Sequence, residues 1–341
     1  MVALRRHIGA TRYGDLYRST ILAPGERGPF PGDVAAARGR VAAAGSGETL
    51  LRLLGLGEAV AADALDAEAR ALIALLERAG LGGPVPGNLW RTDGWVAVPF
   101  GAGHLLADCP RAYGGQEVRV YLGPDSILLT AALPKVPGLR VLDMGAGCGV
   151  QGLLGVPEPA ESVLVDIEPR AVRFCALNAE LCGLGPRVRA VLGDLYEPVT
   201  GERFDLIACV PPYVPVPRGV PYSGVANGGP DGLGMLRRLL GGAGDHLRPG
   251  GRLVAVCQLL AGADGPLLAR EAAALAPGLR LTAEVFSRVP AAQLTAELSA
   301  GLASRVPGWT GAMLAEAYGA AFRDLGATDV LGTVLRAERP A

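Results

Sequence analysis

The stretch VLDMGAGCGV, residues 141–150, decides the fold of this chain. Its first four residues are typical of a buried strand, and a helix start follows its last glycine. The glycines at 145, 147 and 149 let the backbone turn tightly and approach a ligand where a Cβ would intrude. Alone, such a G-x-G-x-G turn fits nucleotide, flavin and dinucleotide sites alike, so the flanking segments must narrow the choice.

A sheet is indicated by the alternation of strands and helices from about residue 138 onward. Short segments rich in leucine and β-branched residues predict five strands: LRVLDMG, SVLVDIE, VRAVLGD, FDLIACV and GRLVAVC. Between the second and third lies the helical pattern PRAVRFCALNAELCGLG, which ends on glycine. Alternation of this kind predicts an α/β fold, with a parallel sheet and helices on both faces. The segments LTAEVFSRV and TDVLGTVLRAE add two strands around a helical insertion at 291–325.

Two carboxylates follow strand ends and sharpen the prediction of a ligand site. Asp166 ends the second strand, at about the separation where a Rossmann-type site offers an acid to ribose hydroxyls. Asp194 ends the third strand, where a carboxylate can accept from an exocyclic adenine amine. The absence of G-K-[ST] disfavours a P-loop, and the absence of G-x-G-x-x-G disfavours NAD. The alternative is that these carboxylates only cap helices.

The segments VLDMGAGCGVQGL, VDIEPRAVRFCALNAELCGL, GDLYEPV and FDLIACVPPY together resemble the motifs of class I S-adenosylmethionine-dependent methyltransferases. They are most similar to the methyltransferase small domain group, which includes ribosomal-RNA guanine and protein-glutamine methyltransferases. The resemblance covers about residues 115–258 and extends loosely to 341. It implies a Rossmann-like, mostly parallel sheet with an antiparallel terminal hairpin, and S-adenosyl-L-methionine as the cofactor.

The resemblance also implies a set of cofactor-binding residues. Asp166 would accept from both ribose hydroxyls, Ile167 would pack on adenine, and Asp194 would accept from the adenine amine. The remaining residues of this set are Asp143, Gly145, Ala146, Gly147, Gly149 and Leu195. The segment GPDS at 123–126 resembles the part that closes over the amino-acid end of the cofactor. Asp125 or Ser126 would contact its ammonium there, and the alternative for Asp125 is a helix N-cap.

The resemblance places the catalytic loop at Val210, Pro211, Pro212 and Tyr213. The family's N-P-P-Y loop has an asparagine where this chain has Val210, and that side chain helps to hold a planar amine or amide. Valine has no acceptor, so half of that clamp is missing, while the carbonyl of Pro211 and the ring of Tyr213 remain.

An already nucleophilic or easily ionised acceptor is therefore favoured over an amide. Its proton would pass to Tyr213, Tyr222, Asp231 or water. The segment 222–234 is either a mobile lid over the acceptor or a surface loop.

The expected function is methyl transfer to a small molecule or peptide, in the context of specialised metabolism. One alternative is an RNA or protein-glutamine methyltransferase. Others are a cofactor-binding regulator without methyl transfer, and an enzyme that uses the cofactor for cyclisation.

The N-terminal region, predicted as an accessory domain over 1–115, differs from the methyltransferase domain predicted over 116–341. Residues 1–30 lack a regular pattern, and three helical patterns follow between about 32 and 80. The segment VPGNLWRTDGWVAVPF predicts a hairpin around T-D-G. Helices followed by a hairpin suggest a winged-helix-like unit at 32–110. Its arginines are scattered among acidic residues, which favours a capping, dimer or acceptor-side role over DNA binding.

The composition narrows the partners. The 341 residues carry a net charge of −1, so no basic footprint for nucleic acid is evident. The six cysteines show no C-x-x-C spacing, and the three histidines have no ligand partners in sequence, so we expect no metal. No secretory signal or membrane-length apolar run is visible, which predicts a cytoplasmic protein with no membrane partner. The oligomeric state stays open.

Overall fold

The computed structural model describes residues 1–26, 28–44, 47–101, 103–110, 118–222 and 225–341. A large sheet organises the second half of the chain, in the order β8-β7-β6-β9-β10-β13-β12. Its strands are β6 (Arg140–Met144), β7 (Glu161–Asp166), β8 (Val188–Leu192), β9 (Phe204–Cys209), β10 (Leu247–Gly262), β12 (Arg280–Pro290) and β13 (Asp329–Glu338), and the short β11 (Gly265–Pro266) pairs with β10.

The strand directions confirm the predicted class I sheet. Strands β8, β7, β6, β9 and β10 are parallel, whereas β13 runs antiparallel to both β10 and β12. From β6 the chain builds the sheet outward first through β7 and β8, and then on the other side through β9 and β10. The carboxyl ends of β6 and β9 therefore flank the switch point at which open α/β sheets bind ligands.

Helices cover both faces of this sheet and complete the predicted alternation. They are α6 (Pro124–Ala132), α7 (Pro169–Cys182), α8 (Gly234–His246), α9 (Ala272–Leu275), α10 (Ala291–Leu302) and α11 (Gly311–Leu325). Helix α7 begins with Pro169, which has no N–H to leave unpaired, and ends at Gly183 in the left-handed region with φ 76°. The insertion at 291–325 is helical, as the sequence pattern indicates.

Side chains of β6 alternate between two apolar cores. Leu142 and Met144 belong to the core under α8, and Val141 belongs to the core under α6. Asp143 lies on the same face of the strand as Val141, buried with 1% exposure. Strands covered on both faces in this way are typical of parallel sheets.

The first residues of the chain are helical, which the sequence prediction of an irregular segment missed. They form α1 (Val2–Ala10) and α2 (Tyr13–Leu16), which continues as a π-helical turn over Tyr17–Ile21. Their buried side chains recur about every four residues: Leu4, Ile8, Tyr13, Tyr17 and Ile21. The helical period was missed because two of these residues are tyrosines. A buried tyrosine usually needs a hydrogen-bond partner for its hydroxyl. Here the Tyr13 hydroxyl donates to the Ala97 carbonyl at 2.7 Å.

The helical patterns predicted between residues 32 and 80 are confirmed. They form α3 (Val34–Ala42), α4 (Glu48–Leu50) with the π-helical turn Leu51–Gly55, and α5 (Ala67–Arg78).

The predicted hairpin around T-D-G is wrong. Two hairpins flank that tripeptide, β2 (Gly82–Val85) with β3 (Leu89–Thr92), and β4 (Trp95–Phe100) with β5 (Gly103–Asp108). The first turns at Gly87 and Asn88, both with positive φ, which favours a tight reversal there.

A third strand, β1 (Val60–Ala61), pairs with β3, so helices precede a small antiparallel sheet. The winged-helix assignment stays a prediction.

The N-terminal region packs on α7 through a shared apolar core that extends from Leu4 to Leu181. At its centre lies Asn178, which is fully buried. Its amide exchanges two hydrogen bonds with the backbone of Leu106 in β5, at 2.8 and 2.9 Å, and donates to the carbonyl of Cys148 at 2.9 Å. One side chain therefore joins β5 to the glycine-rich turn.

The domain boundary predicted at 115/116 stays a prediction, and residues 111–117 lie outside the described part. Within the described ranges, no helix has the length and hydropathy needed to cross a bilayer.

Candidate active site

A cavity of about 840 Å³ opens at the carboxyl ends of β6, β7, β8 and β9. It is lined by the glycine-rich turn, the residues after β7 and β8, the loop after β9, and the starts of α6 and α8. The sequence-predicted residues that line it are Asp125, Ser126, Gly145, Ala146, Gly147, Asp166, Ile167, Asp194, Leu195, Val210, Pro211, Pro212 and Tyr213.

Asp166 is held rigidly at the end of β7. Its Oδ2 accepts from the Gly147 N–H at 2.8 Å, and its Oδ1 accepts from the Glu168 N–H at 2.9 Å. Burial raises the pKa of this carboxyl, and the two backbone donors act against that shift. Each carboxylate oxygen can accept a second hydrogen bond, so Asp166 remains able to receive a pair of hydroxyls.

The glycine-rich turn needs its glycines for two different reasons. Gly145 and Gly147 line the cavity with φ of 65° and 55°. A Cβ on Gly147 would lie 3.1 Å from the Tyr121 carbonyl oxygen. Gly149, with φ 79°, is not among the lining residues, and a Cβ there would meet Leu164 at 3.0 Å. The turn is thus a cradle that side chains would fill, which fits close approach of a ligand.

Asp143 lies behind the turn and is not among the residues that line the cavity, so its predicted role toward a cofactor stays a prediction. Its Oδ2 accepts from the Gly152 N–H at 2.9 Å. Burial raises the pKa of Asp143 to about 7. We therefore assign Asp143 and Gly149 to the framework of the turn.

The far end of the cavity has an apolar rim suited to a flat ring. Ile167 is 66% exposed there, which is unusual for an isoleucine. Leu195, across the rim, has φ 50°, a left-handed conformation uncommon for a leucine. Between them Asp194 accepts from the Arg238 guanidinium at 2.8 Å.

The loop after β9 forms the other end of the cavity. Val210 lines it and also packs against the apolar core under α6. The Tyr213 hydroxyl donates to Asp125 Oδ2 at 3.1 Å. Burial raises the pKa of Tyr213 well above its usual value, so the phenol stays protonated at neutral pH.

The start of α6 shows that Asp125 is not the N-cap, which corrects the alternative interpretation of this residue. Gly123 occupies the cap position and Pro124 opens the helix. The Ser126 hydroxyl, four per cent exposed, accepts from the Gly123 N–H at 3.3 Å. The Asp125 carboxylate is thereby left facing the cavity.

Two residues predicted for the acceptor side do not line the cavity. Tyr222 packs against the apolar core around α10 and α11. Asp231 accepts from both terminal nitrogens of Arg237, at 3.1 and 2.6 Å. Burial raises its pKa, but these hydrogen bonds outweigh burial and the net shift is downward, which makes Asp231 a poor proton acceptor. Residues 223 and 224 of the predicted lid lie outside the described ranges.

Further residues that were not singled out from the sequence also line the cavity, among them Arg119, Tyr121, Glu168, Met235 and Arg238. Arg119 and Tyr121 come just before the G-P-D-S segment, so their nearness to that motif was the available signal. Glu168 directly follows Ile167, and Met235 and Arg238 lie in α8.

Comparison with known proteins identifies the central segment. Residues 121–268 match the family model described as the methyltransferase small domain. The release factor glutamine methyltransferase of Xylella fastidiosa is 42% identical over 126 residues, which cover 34% of this chain and 45% of that protein. The ribosomal protein uL3 glutamine methyltransferase of Bradyrhizobium diazoefficiens is 33% identical over 156 residues, covering 42% and 49%.

The chain thus spans about half the length of these curated relatives. Among solved structures, a Methanocaldococcus jannaschii tRNA m1G37 methyltransferase shares 13% identity with a TM-score of 0.41, over 73% of this chain and 57% of that one.

The sheet order, the glycine-rich turn and the family match agree with one another. Residues 121–268 of this chain therefore match the methyltransferase small domain family within a sheet of class I topology, and S-adenosylmethionine is the cofactor of that family.

Proposed function

We propose that this protein transfers a methyl group from S-adenosylmethionine to a nucleophile on a peptide or small molecule. The observation that carries the proposal is the pairing of a preorganised cofactor half, centred on Asp166, with a catalytic loop that keeps its prolines and tyrosine. When bound, S-adenosylmethionine supplies an electrophilic methyl group. The protein's part is to hold the cofactor, orient the acceptor and manage its proton.

The cofactor half offers a partner to each part of an adenosine. Asp166, fixed by two backbone donors, accepts from the ribose hydroxyls. Ile167 packs on one face of the adenine, and Leu195 and Asp194 lie where its edge would be. The cradle at Gly145 and Gly147 leaves room for the methionine portion. These roles are consistent with the lining and exposure of each residue.

The acceptor half lacks the polar clamp expected for an amide. Val210 offers no hydrogen-bond acceptor, so a carboxamide would be held only by the Pro211 carbonyl and the Tyr213 ring. A polar group left without a partner in such a site costs about 1–3 kcal/mol. This favours a nucleophile that needs no such clamp.

A second candidate is methylation of a protein glutamine. The identity to two glutamine methyltransferases favours it. Val210 speaks against it, and a direct transfer assay decides between the two.

Calorimetric titration of S-adenosylhomocysteine tests the cofactor half. We expect binding by the wild type and a loss of affinity of about 100-fold in Asp166→Ala, since two hydrogen bonds to a carboxylate disappear. Asp264→Ala, an exposed aspartate outside the cavity, is the matched control and should bind normally. Wild type that binds neither this ligand nor S-adenosylmethionine would refute the proposal.

Transfer of a labelled methyl group to a glutamine-containing peptide, assayed beside a peptide with a free amine in its place, tests the acceptor half. We expect no labelling of the glutamine amide. Efficient labelling there would establish the second candidate instead.

A further inference from the structure

We infer that the acceptor is an amine that enters as an ammonium and is selected by Asp125, between the rings of Tyr121 and Tyr213. This inference rests on the proposed function and narrows it from a nucleophile in general to one chemical class. It also assigns Asp125 to the acceptor, where the family resemblance suggested the ammonium of the cofactor.

The charged side chains that line the cavity leave it with a net negative charge. Among the described residues, four carboxylates line it, on Asp125, Asp166, Glu168 and Asp194, against the two guanidiniums of Arg119 and Arg238. A bound S-adenosylmethionine adds one net positive charge, from its sulfonium, ammonium and carboxylate. One negative charge therefore remains, which favours a cationic acceptor and opposes a carboxylate.

The lining carboxylates differ in whether a neighbouring arginine balances their charge. Asp194 pairs with Arg238 at 2.8 Å, and Glu168 lies 3.9 Å from Arg119. Asp166 is held by two backbone N–H groups. Asp125 resembles Asp166 in having only neutral partners, since within the described ranges its side chain is hydrogen-bonded by the Ser126 N–H and two phenols. Two carboxylates thus lack a cationic partner, and because Asp166 is assigned to the ribose hydroxyls, Asp125 is the one that remains for an acceptor.

Asp125 lies on the acceptor side of the cavity. Tyr213, the last residue of the catalytic loop, donates to Asp125 Oδ2 at 3.1 Å. Tyr121 hydrogen-bonds the same carboxylate, and its hydroxyl fits there because Gly123 has no Cβ, which would lie within 2 Å of it. Asp125 is therefore tied to the loop that positions the acceptor.

The two phenols stay protonated, so they donate to Asp125 and leave the negative charge on it. Burial raises the pKa of both tyrosines well above the usual range. A carboxylate that keeps its negative charge beside two neutral phenols can form an ion pair with an ammonium.

The chemistry of the step follows from this arrangement. The ammonium, hydrogen-bonded to Asp125, loses its proton through that carboxylate to solvent, which exposes the nitrogen lone pair. The lone pair forms the new N–C bond to the methyl carbon as the C–S bond breaks, and that electron pair returns to sulfur as a neutral thioether. The methylated product is already an ammonium, because the nitrogen keeps its two remaining hydrogens, and it leaves in that form.

Four probes that share one phenylpropyl skeleton test the inference: 3-phenylpropylamine, 3-phenylpropanol, 3-phenylpropanoate and 3-phenylpropanamide. Each is titrated by calorimetry into the full chain already saturated with S-adenosylhomocysteine. We expect the amine to bind about tenfold more tightly than each of the other three. Asp125→Asn should abolish this preference, Asp125→Glu should retain part of it, and the exposed control Asp264→Asn should retain all of it.

The S-adenosylhomocysteine affinity of each variant separates the outcomes. An Asp125→Asn variant that binds it within about threefold of wild type is folded and has an intact cofactor half. A tenfold weaker affinity with the amine preference intact would show that Asp125 serves the cofactor, and the inference would be wrong. An amine that binds wild type no better than the other probes would also overturn it, while the first titration alone decides the broader proposal.

Discussion

The two halves of the cavity are built from different kinds of interaction. In the cofactor half, the decisive groups are fixed by backbone: Asp166 is held by two N–H donors, and Gly147 by its left-handed conformation. In the acceptor half, side chains hold one another, as Tyr213 and Tyr121 hold Asp125. Val210 stands there without a polar partner.

This difference implies that the residues of the cofactor half are more constrained than those of the acceptor half. A backbone-fixed site tolerates few substitutions, because each residue is required by the path of the chain as well as by the ligand. A site made of side chains can exchange one acceptor class for another while the sheet stays intact. The following predictions test this contrast, from the largest expected effect to the smallest.

Gly147→Ala should abolish the cofactor half. The added Cβ would lie 3.1 Å from the Tyr121 carbonyl oxygen, and alanine at φ 55° is itself strained by about 1–2 kcal/mol. We expect affinity for S-adenosylhomocysteine to fall at least 100-fold by calorimetry.

Gly250→Ala is the matched control for that strain. Its φ is 74°, and a Cβ there meets nothing within 4 Å. This variant should lose stability but bind S-adenosylhomocysteine normally. Equal losses of affinity in the two variants would show that backbone strain alone, and not the position of Gly147 in the cavity, weakens binding.

Asp143→Asn should change how stability depends on pH. The folded pKa of Asp143 is raised to about 7, whereas an unfolded aspartate titrates near 3.9, so the folded state holds an extra proton between these values. The free energy of unfolding of the wild type should therefore fall, relative to the variant, as pH rises from about 4 to 7, and level off above. The fall should be on the order of 2–4 kcal/mol by denaturant titration. A flat difference across this range would contradict the assignment of Asp143 to the buried framework.

Val210→Asn should destabilise the protein without restoring amide methylation. Val210 lines the cavity and also packs against the apolar core under α6, so a polar amide there should weaken that packing at a cost of about 1–2 kcal/mol in unfolding free energy. Val136→Asn, at a 52% exposed valine, should cost much less and serves as the control. A gain of methyl transfer to a glutamine peptide in Val210→Asn would show that one residue alone sets the acceptor class.

The sheet and the cofactor half were predictable from sequence because both follow from local patterns. Strand periodicity gives β6 to β9, and parallel strands bring their carboxyl ends to one edge, so Asp166 and Asp194 had to converge. The helix over residues 2–10 and the turn at 86–88 were not predicted correctly. Tyr13 and Tyr17, whose hydroxyls are polar, interrupt the apolar spacing of the N-terminal helices. The sequence pattern favours T-D-G as the hairpin turn, whereas the chain reverses at Gly87 and Asn88.

The acceptor half was predictable only in part. Val210 and Tyr213 were located by their motif, but Tyr222 and Asp231 were chosen for their closeness in sequence to that loop. Sequence distance does not determine the direction of a loop side chain, and both residues point to other partners. Tyr121 is the opposite case, since it reaches the cavity only because Gly123 leaves space for its hydroxyl.

The buried amide of Asn178 sets a limit on how this catalytic unit could be recombined with other chains. It hydrogen-bonds both the N–H and the carbonyl of Leu106 in β5, and it also donates to the carbonyl of Cys148 in the glycine-rich turn. A chimera that kept residues 118–341 but replaced the N-terminal region would need a strand with free backbone groups at this same register. Without one, the amide would be stranded in an apolar core beside the cofactor turn. Modularity in this protein therefore ends at β5, whatever the motifs suggest about where one unit stops and the next begins.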